Sequence, residues 1–121
     1  MSDIMKFIMD KDALGRDPEG HLQDLGDWSE DDARAAAGGL GIALTGKHWD
    51  VVYALRHNYA RNGGTHSAKD IQGMLFDAFA TQGGKKYLYE LFPGGPVTQA
   101  STIAGLPLPR GASDNSFGYT L

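Results

Sequence analysis

Pairs of adjacent glycines divide much of this chain into short segments, and they restrict the folds available to it. Three of the four pairs stand at 38–39, 63–64 and 83–84, each directly after a stretch with helical character, and the fourth, at 94–95, follows Pro93. Glycine is common just past the end of a helix because it adopts left-handed backbone angles without a steric penalty. The division therefore predicts a mostly α-helical domain, in which short helices are joined by tight turns.

Two central segments carry the clearest helical periodicity. Residues 46–61 follow a capping threonine, Thr45, and residues 67–82 begin at a capping serine, Ser67. In both segments apolar side chains recur every three or four residues, so they share one face that we expect to be buried. The two faces comprise Trp49, Val52, Leu55 and Tyr59, then Ile71, Met74, Leu75, Ala78 and Phe79.

Shorter helices are predicted on both sides of this central pair. Ser29 is a suitable N-cap for a helix that ends at the glycines 38–39, with three acidic residues in its first turn. The stretch "KKYLYELFPGG" predicts a short helix that Pro93 ends, and Pro96 opens another that runs to about residue 104.

The two ends of the chain differ from this helical middle. An apolar run at 4–10 and the alternating "HLQDL" at 21–25 predict a small β-hairpin over about residues 4–25. From Gly105 onward the prolines disfavour helix, so we expect an extended arm over 105–111. The chain is thus interpreted as one domain, 1–111, followed by a tail at 112–121.

Composition excludes several classes of chemistry. The chain has no cysteine, so disulfides, thiolate metal sites and cysteine nucleophiles are all excluded. The four histidines lack the spacing of a metal-binding pair, and no phosphate-binding glycine loop or nucleophile elbow is present. We expect a cytoplasmic protein that is not an enzyme and has no metal, cofactor or membrane-spanning segment.

Charge is distributed unevenly along the chain. Residues 1–32 hold ten acidic against three basic side chains, whereas residues 33–121 hold five against eight. An acidic front and a mildly basic remainder suit electrostatic steering between proteins. They suit a DNA duplex less well, because duplex binders usually carry a concentrated basic surface.

A DNA-binding function is an alternative that the two central helices keep open. Residues 46–61 and 67–82 are joined by a glycine turn and resemble a helix-turn-helix pair. The second helix would read the DNA, yet it offers Lys69 and two glutamines against two aspartates. Arg56 lies on the first helix, where it could serve a partner's anion or pair with the acidic N-terminal part.

Three longer blocks resemble the DsrC/TusE family of sulfur-relay and sulfite-reductase-associated proteins. They are "LT-x-x-HW" at 44–49, "YLYELFP-x-GP" at 87–96 and "IAGLP-x-P-x-G" at 103–111, and the likeness runs from about Ile4 to Gly111. The resemblance implies a helical domain with a small N-terminal hairpin and a mobile C-terminal arm.

The same resemblance implies that the family's sulfur chemistry is missing here. Its members carry sulfur on a cysteine near the end of the arm, and some have a second cysteine eleven positions earlier. The matching positions are Ala112 and Ser101. A basic pair near the start of the second central helix is also incomplete, since Lys69 can stand for the arginine but Gly73 replaces the lysine.

The resemblance therefore implies a natural cysteine-free paralogue that acts by docking, as a regulator or competitor. The implied partners are sulfite-reductase-like, heterodisulfide-reductase-like or sulfur-relay proteins, and a structural subunit or a DNA-binding regulator are the alternatives. The residues expected to dock are Arg56, Lys69, Tyr87, Tyr89, Pro107, Pro109, Arg110 and, on the tail, Phe117 and Tyr119.

Overall fold

Six α-helices make up most of the structure, a computed structural model that describes Asp17 and residues 19–112. In chain order they are α1 His21–Asp24, α2 Glu30–Gly39, α3 Gly46–Asn62, α4 Ala68–Ala78, α5 Gly84–Leu91 and α6 Pro96–Ile103. A 3₁₀ turn, Ala80–Gln82, separates α4 from α5. Within the described residues there is no β-sheet, and the predicted mostly helical class is confirmed.

Helix starts follow the predicted capping residues. The Ser29 hydroxyl accepts from the Asp32 backbone N–H at 3.3 Å, and the Asp32 carboxylate accepts from the Ser29 N–H at 2.9 Å. Ser67 and Asp70 repeat this reciprocal arrangement at the start of α4. Each pair satisfies two of the backbone donors that a helix N-terminus leaves without partners.

The core forms where α3 and α6 meet the other helices. Helix α3 contacts α1 and α6, while α6 also contacts α2, α4 and α5. The predicted apolar faces are buried in part, since Trp49 and Ile71 lie half-buried against the core. The largest fully buried apolar side chains are Phe79, Phe92, Leu75, Leu88, Ile103, Val51 and Val52.

The prediction of a β-strand at 21–25 is wrong. Residues His21–Asp24 form the short helix α1 instead. The Asp17 carboxylate accepts from the backbone N–H groups of Leu22 and Gln23 at 3.2 and 3.0 Å, which favours a helical turn. Alternation over five residues is too short to separate the two structures. The other predicted strand, at 4–10, lies outside the described residues.

The second central helix is also shorter than predicted. Helix α4 ends at Ala78, and the chain then tightens into the 3₁₀ turn up to Gln82. Phe79 is fully buried at this break, and its carbonyl accepts from the N–H of Gly84 at 2.9 Å. Gly84 has a φ of +57°, so a glycine suits the turn into α5.

The arm, residues 105–112, leaves α6 and crosses to the start of α4. The Leu106 N–H donates to the Ser101 carbonyl at 3.0 Å, which closes the turn after α6. The Ala68 N–H donates to the Arg110 carbonyl at 2.8 Å, within a parallel bridge between Ser67 and Arg110. Both ends of the arm are therefore bonded to the helical domain.

Gly105 is the position where a side chain is least compatible with this path. Its φ is +70°, and a Cβ there would lie 2.4 Å from Cδ1 of Trp28. We expect Gly105→Ala to lower the free energy of unfolding by about 1–3 kcal/mol, because it adds a strained backbone to a steric clash. Denaturant unfolding followed by circular dichroism measures the change.

Gly73→Ala is the matched control for this substitution. Gly73 is exposed on α4, and an added Cβ would meet nothing within 4 Å. Alanine should raise stability by about 0.5–1 kcal/mol there, because it favours a helix interior over glycine. Equal effects from the two substitutions would contradict the assigned path of the arm.

Candidate functional site

Trp28 and Arg56 anchor the arm at the C-terminal end of α6. Trp28 Nε1–H donates to the Ile103 carbonyl at 3.2 Å, and Arg56 Nη1 donates to the Ala104 carbonyl at 2.5 Å. The Arg56 guanidinium also lies 4.0 Å from the centre of the Trp28 ring. A helix end carries unpaired carbonyls and partial negative charge, so a cation stabilises it.

The anchor sits in a partly dry environment. Burial lowers the pKa of the Arg56 guanidinium from its ordinary value, although the nearby Tyr53 and Asp17 oppose the change. Tyr53 lies edge-on to Trp28, and its hydroxyl donates to Glu30 at 2.5 Å. Burial and this carboxylate raise the pKa of Tyr53 to about 12. The phenol is therefore neutral beside the guanidinium at physiological pH.

His48, in the first sequence block, has a structural role. Its Nδ1 accepts from the Thr45 backbone N–H at 3.1 Å, and its Nε2 lies 2.9 Å from the Leu91 carbonyl. A backbone N–H can only donate, so Nε2 must carry the proton and donate to Leu91. This side chain thereby joins the start of α3 to the end of α5.

Gln99 makes a similar connection from α6 back to the second block. Its side chain is 9% exposed, and its Oε1 accepts from the Gly94 N–H at 3.0 Å. The bond holds the "PGG" turn against α6, and a side chain at Gly94 would collide with it. His48 and Gln99 thus fix the end of α5 and the turn that follows it.

Two clefts flank the arm. The first has a volume of about 230 Å³ and lies among α3, the start of α4 and the arm. Its lining residues are Leu55, Asn58, Tyr59, Gly63, Gly64, His66, Ile71, Ser101 and Leu106–Arg110. The second has a volume of about 440 Å³ and is lined by Ala68, Lys69, Gln72, Tyr89, Pro93–Thr98, Gly111 and Ala112.

Ser101 and Ala112, which the resemblance matches to the family's cysteines, lie in different clefts. Ser101 lines the first cleft and is 2% exposed, whereas Ala112 lines the second and is half-buried. With the arm in this conformation, positions 101 and 112 do not meet in one cleft. The Ala112 N–H donates to the Pro109 carbonyl at 3.0 Å, in a turn that directs the chain toward the second cleft.

The structure divides the predicted docking residues into three groups. Pro107, Pro109 and Arg110 line the first cleft, and Lys69 and Tyr89 line the second beside Ala112. Arg56 and Tyr87 have partners inside the domain instead. Tyr87 stacks on Phe79 with ring centres 6.1 Å apart, and burial, with a contribution from Asp50, raises its pKa. Phe117 and Tyr119 lie outside the described residues.

Sequence reasoning did not identify Trp28 or Gln99. It placed His48 in a family block and weighed it as a metal ligand, but gave it no structural role. The position of Trp28 directly before the Ser29 cap was a usable local signal, because an apolar residue there often packs against the domain. Among residues 17 and 19–112, no cluster of histidines and carboxylates could hold a metal ion. No helix in the same residues is long and apolar enough to cross a membrane.

Comparison with known proteins gives consistent matches over most of the chain. The family model described as "DsrC like protein" matches residues 9–112. The sulfurtransferase TusE of Salmonella typhimurium is 37% identical over 104 residues, which are 85% of this chain and 95% of that protein. The TusE of Escherichia coli K12 is 36% identical over the same length and coverage.

A solved structure agrees with these matches. The NMR structure of DsrC from Allochromatium vinosum superimposes with a TM-score of 0.62 at 35% sequence identity. The match covers 79% of this chain and 87% of that one. Residues 113–121 lie beyond the region that the family model matches.

Replacing Arg56 tests whether the anchor stabilises the domain. Arg56→Lys keeps the positive charge but loses the planar group that stacks on Trp28 and reaches Ala104. We expect the free energy of unfolding to fall by about 1–3 kcal/mol, from a charged hydrogen bond and a buried cation–π contact.

Arg34→Lys provides the matched control in the same unfolding assay. Arg34 also lies over a tryptophan, Trp49, but its guanidinium is 5.4 Å from the ring and its side chain is 56% exposed. Arg34→Lys should change the free energy of unfolding by less than about 0.5 kcal/mol. A larger loss at Arg34 than at Arg56 would contradict the role assigned to the anchor.

Proposed function

The chain belongs to the DsrC-like family of sulfur-relay proteins, and on that basis we propose that it docks onto sulfur-metabolism proteins without carrying sulfur. In this proposal it regulates, or competes with, cysteine-bearing relatives for a shared partner. The observation that supports the proposal most strongly is the combination of an anchored family arm with alanine at its end, in a chain that contains no cysteine.

Sulfur carriage needs a group that the arm lacks. A carrier accepts sulfur on a thiolate, which forms a persulfide and later releases it to the next thiolate. The methyl group of Ala112 has no heteroatom. The hydroxyl of Ser101 is far too basic to replace a thiolate, and it is 2% exposed. The sulfurtransferase activity in the name of the TusE relatives is therefore not proposed for this chain.

The arm nevertheless presents a surface to solvent. Leu108 at its middle is 40% exposed, and Pro107 and Arg110 are exposed beside it. Leu108 lies between two prolines on a segment that is hydrogen-bonded at both ends. Because this segment is already restrained, a partner that covers it loses little free energy to ordering the chain. A partner that recognises the family's arm would find this surface, and a bound copy would block the site without delivering sulfur.

Exposed carboxylates near the start of the described chain would steer a positively charged partner toward this protein. Glu19, Asp24, Asp27 and the first turn of α2, Glu30–Asp32, are all exposed. Such a face accelerates encounter with a partner of positive charge more than it strengthens the final complex. The partner should therefore bind more slowly at high salt.

The structure offers little support for the DNA-binding alternative. The backbone at the start of α4, which would enter the DNA groove, is paired with the arm through Arg110 and Ala68. Lys69 is the only lysine or arginine on α4, against Asp70 and Asp77. We therefore propose protein docking alone, and DNA recovery serves as a contrary result in the test below.

Affinity capture from the native cells, followed by mass spectrometry, tests the docking proposal. We expect sulfite-reductase-like, heterodisulfide-reductase-like or sulfur-relay proteins to be enriched on the full chain. Leu108→Glu should abolish that enrichment, because it places a charge at the centre of the exposed arm.

Leu25→Glu is the matched control for capture. Leu25 is 37% exposed, close to the value for Leu108, but it follows α1 and lines neither of the two clefts beside the arm. Its enrichment profile should equal that of the unchanged chain. Loss with both variants, capture of no sulfur-metabolism protein, or recovery of DNA would each refute docking through the arm.

Restoring a thiol tests whether the missing cysteine is what prevents sulfur carriage. Incubation of Ala112→Cys with a persulfide donor should add the mass of one sulfur, whereas the unchanged chain should gain none. Lys69 lines the same cleft and favours the thiolate form. Intact-protein mass spectrometry reads the result directly.

Ser101→Cys is the comparison variant in that assay. A thiol there would be buried at a position that is 2% exposed in the native chain, so we expect it to gain sulfur much more slowly. Sulfur on the native chain would refute the non-carrier proposal. Faster gain at position 101 than at 112 would refute the assignment of the two clefts.

A further inference from the structure

We propose that the second cleft is a docking site for the chain's own residues 113–121, with Phe117 and Tyr119 as the anchoring side chains. The inference concerns the free protein, so it stands or falls independently of any sulfur-metabolism partner. It rests on the position of the cleft, on the chemistry of its lining, and on the composition of the segment that follows it.

The described chain ends at the mouth of this cleft. Gly111 and Ala112 belong to its lining, and the turn closed by Ala112 and Pro109 directs the backbone there. Phe117 and Tyr119 follow Ala112 by five and seven residues. An extended chain covers about 3.3–3.6 Å per residue, so both rings can reach every wall of the cleft.

The lining suits aromatic side chains. Tyr89 presents a ring that is 37% exposed, and the exposed Pro93 supplies a flat apolar surface directly before the Gly94–Gly95 turn. The volume of about 440 Å³ falls within the range of pockets that bind small organic groups, about 300–1,000 Å³. Rings packed on Tyr89 and Pro93 would cover apolar surface and leave polar edges in water.

Charge is complementary between the cleft and the segment. Lys69 is the only ionised side chain in the lining, and Asp114 is the only one in residues 113–121. The cleft also contains the first turn of α6, where Gly95 gives no side-chain cap and the helix dipole favours negative charge. A carboxylate two residues after Ala112 therefore has two favourable neighbours.

The docked segment would cover the position that carries the cysteine in the family. Ala112 and Lys69 line the cleft together, so an occupied cleft shields both of them from an incoming protein. Residues 113–121 lie outside the family match, so this protection is a property of the present chain.

Paramagnetic relaxation measured by NMR tests the proposal on the full chain. The absence of cysteine allows one nitroxide label, attached through Thr120→Cys, without removing any native thiol. We expect the amide signals of Lys69, Gln72, Gly95 and Thr98 to be lost in the labelled protein. They should return when the label is reduced.

Tethering alone brings the label near the cleft, so the decisive comparison uses a second labelled protein. Phe117→Ala with Tyr119→Ala keeps the same tether length but removes both anchors. Signals in the cleft should recover in this variant, and Lys69→Glu should produce partial recovery through charge repulsion. Equal signal loss with and without the two rings would overturn the proposal.

A mixture of isotope-labelled and spin-labelled molecules identifies the source of the effect. Docking within one chain predicts no broadening of the isotope-labelled molecules, at any dilution. Broadening that appears in the mixture and grows with concentration would show that the segment binds a second copy, which overturns the intramolecular assignment.

Discussion

The carbonyl groups at the end of α6 need partners, and the position of the arm depends on how they obtain them. Trp28 and Arg56 supply the donors and stack on each other. This contact connects the residue before the cap of α2, the middle of α3 and the end of α6 at one point. Gly105 follows directly, with the positive φ and the missing side chain that the Trp28 ring requires.

Two buried polar side chains, His48 and Gln99, connect further parts of the domain. His48 joins α3 to α5, and Gln99 fixes the turn before α6. A buried polar group is costly to leave without a hydrogen-bond partner. Each of these side chains therefore both stabilises the fold and determines which segment packs beside it. These contacts involve no thiol, so they hold α3, α5 and α6 together in a chain without cysteine.

Separate clefts at Ser101 and Ala112 give the arm two different environments. The first is shaped by the apolar and proline residues of the arm itself, and the second by Lys69, Tyr89 and a glycine turn. Both clefts form in a chain without any thiol. The proposed docking onto a partner and the proposed docking of residues 113–121 would use different surfaces, the exposed middle of the arm and the second cleft.

Local patterns in the sequence determined the helices, their capping residues and membership of the family. Ser29 and Ser67 begin helices as predicted, because a cap depends on residues only three positions apart. The strand expected at 21–25 became a helix since the Asp17 carboxylate accepts from its first N–H groups, and five alternating residues could not reveal that. Tertiary structure alone decided that Arg56 faces the end of α6 and that Ser101 and Ala112 line different clefts. Arg56 bonds to Ala104, which is 48 positions later in the chain, and Trp28 bonds to Ile103, which is 75 positions later. No local periodicity encodes contacts over such separations.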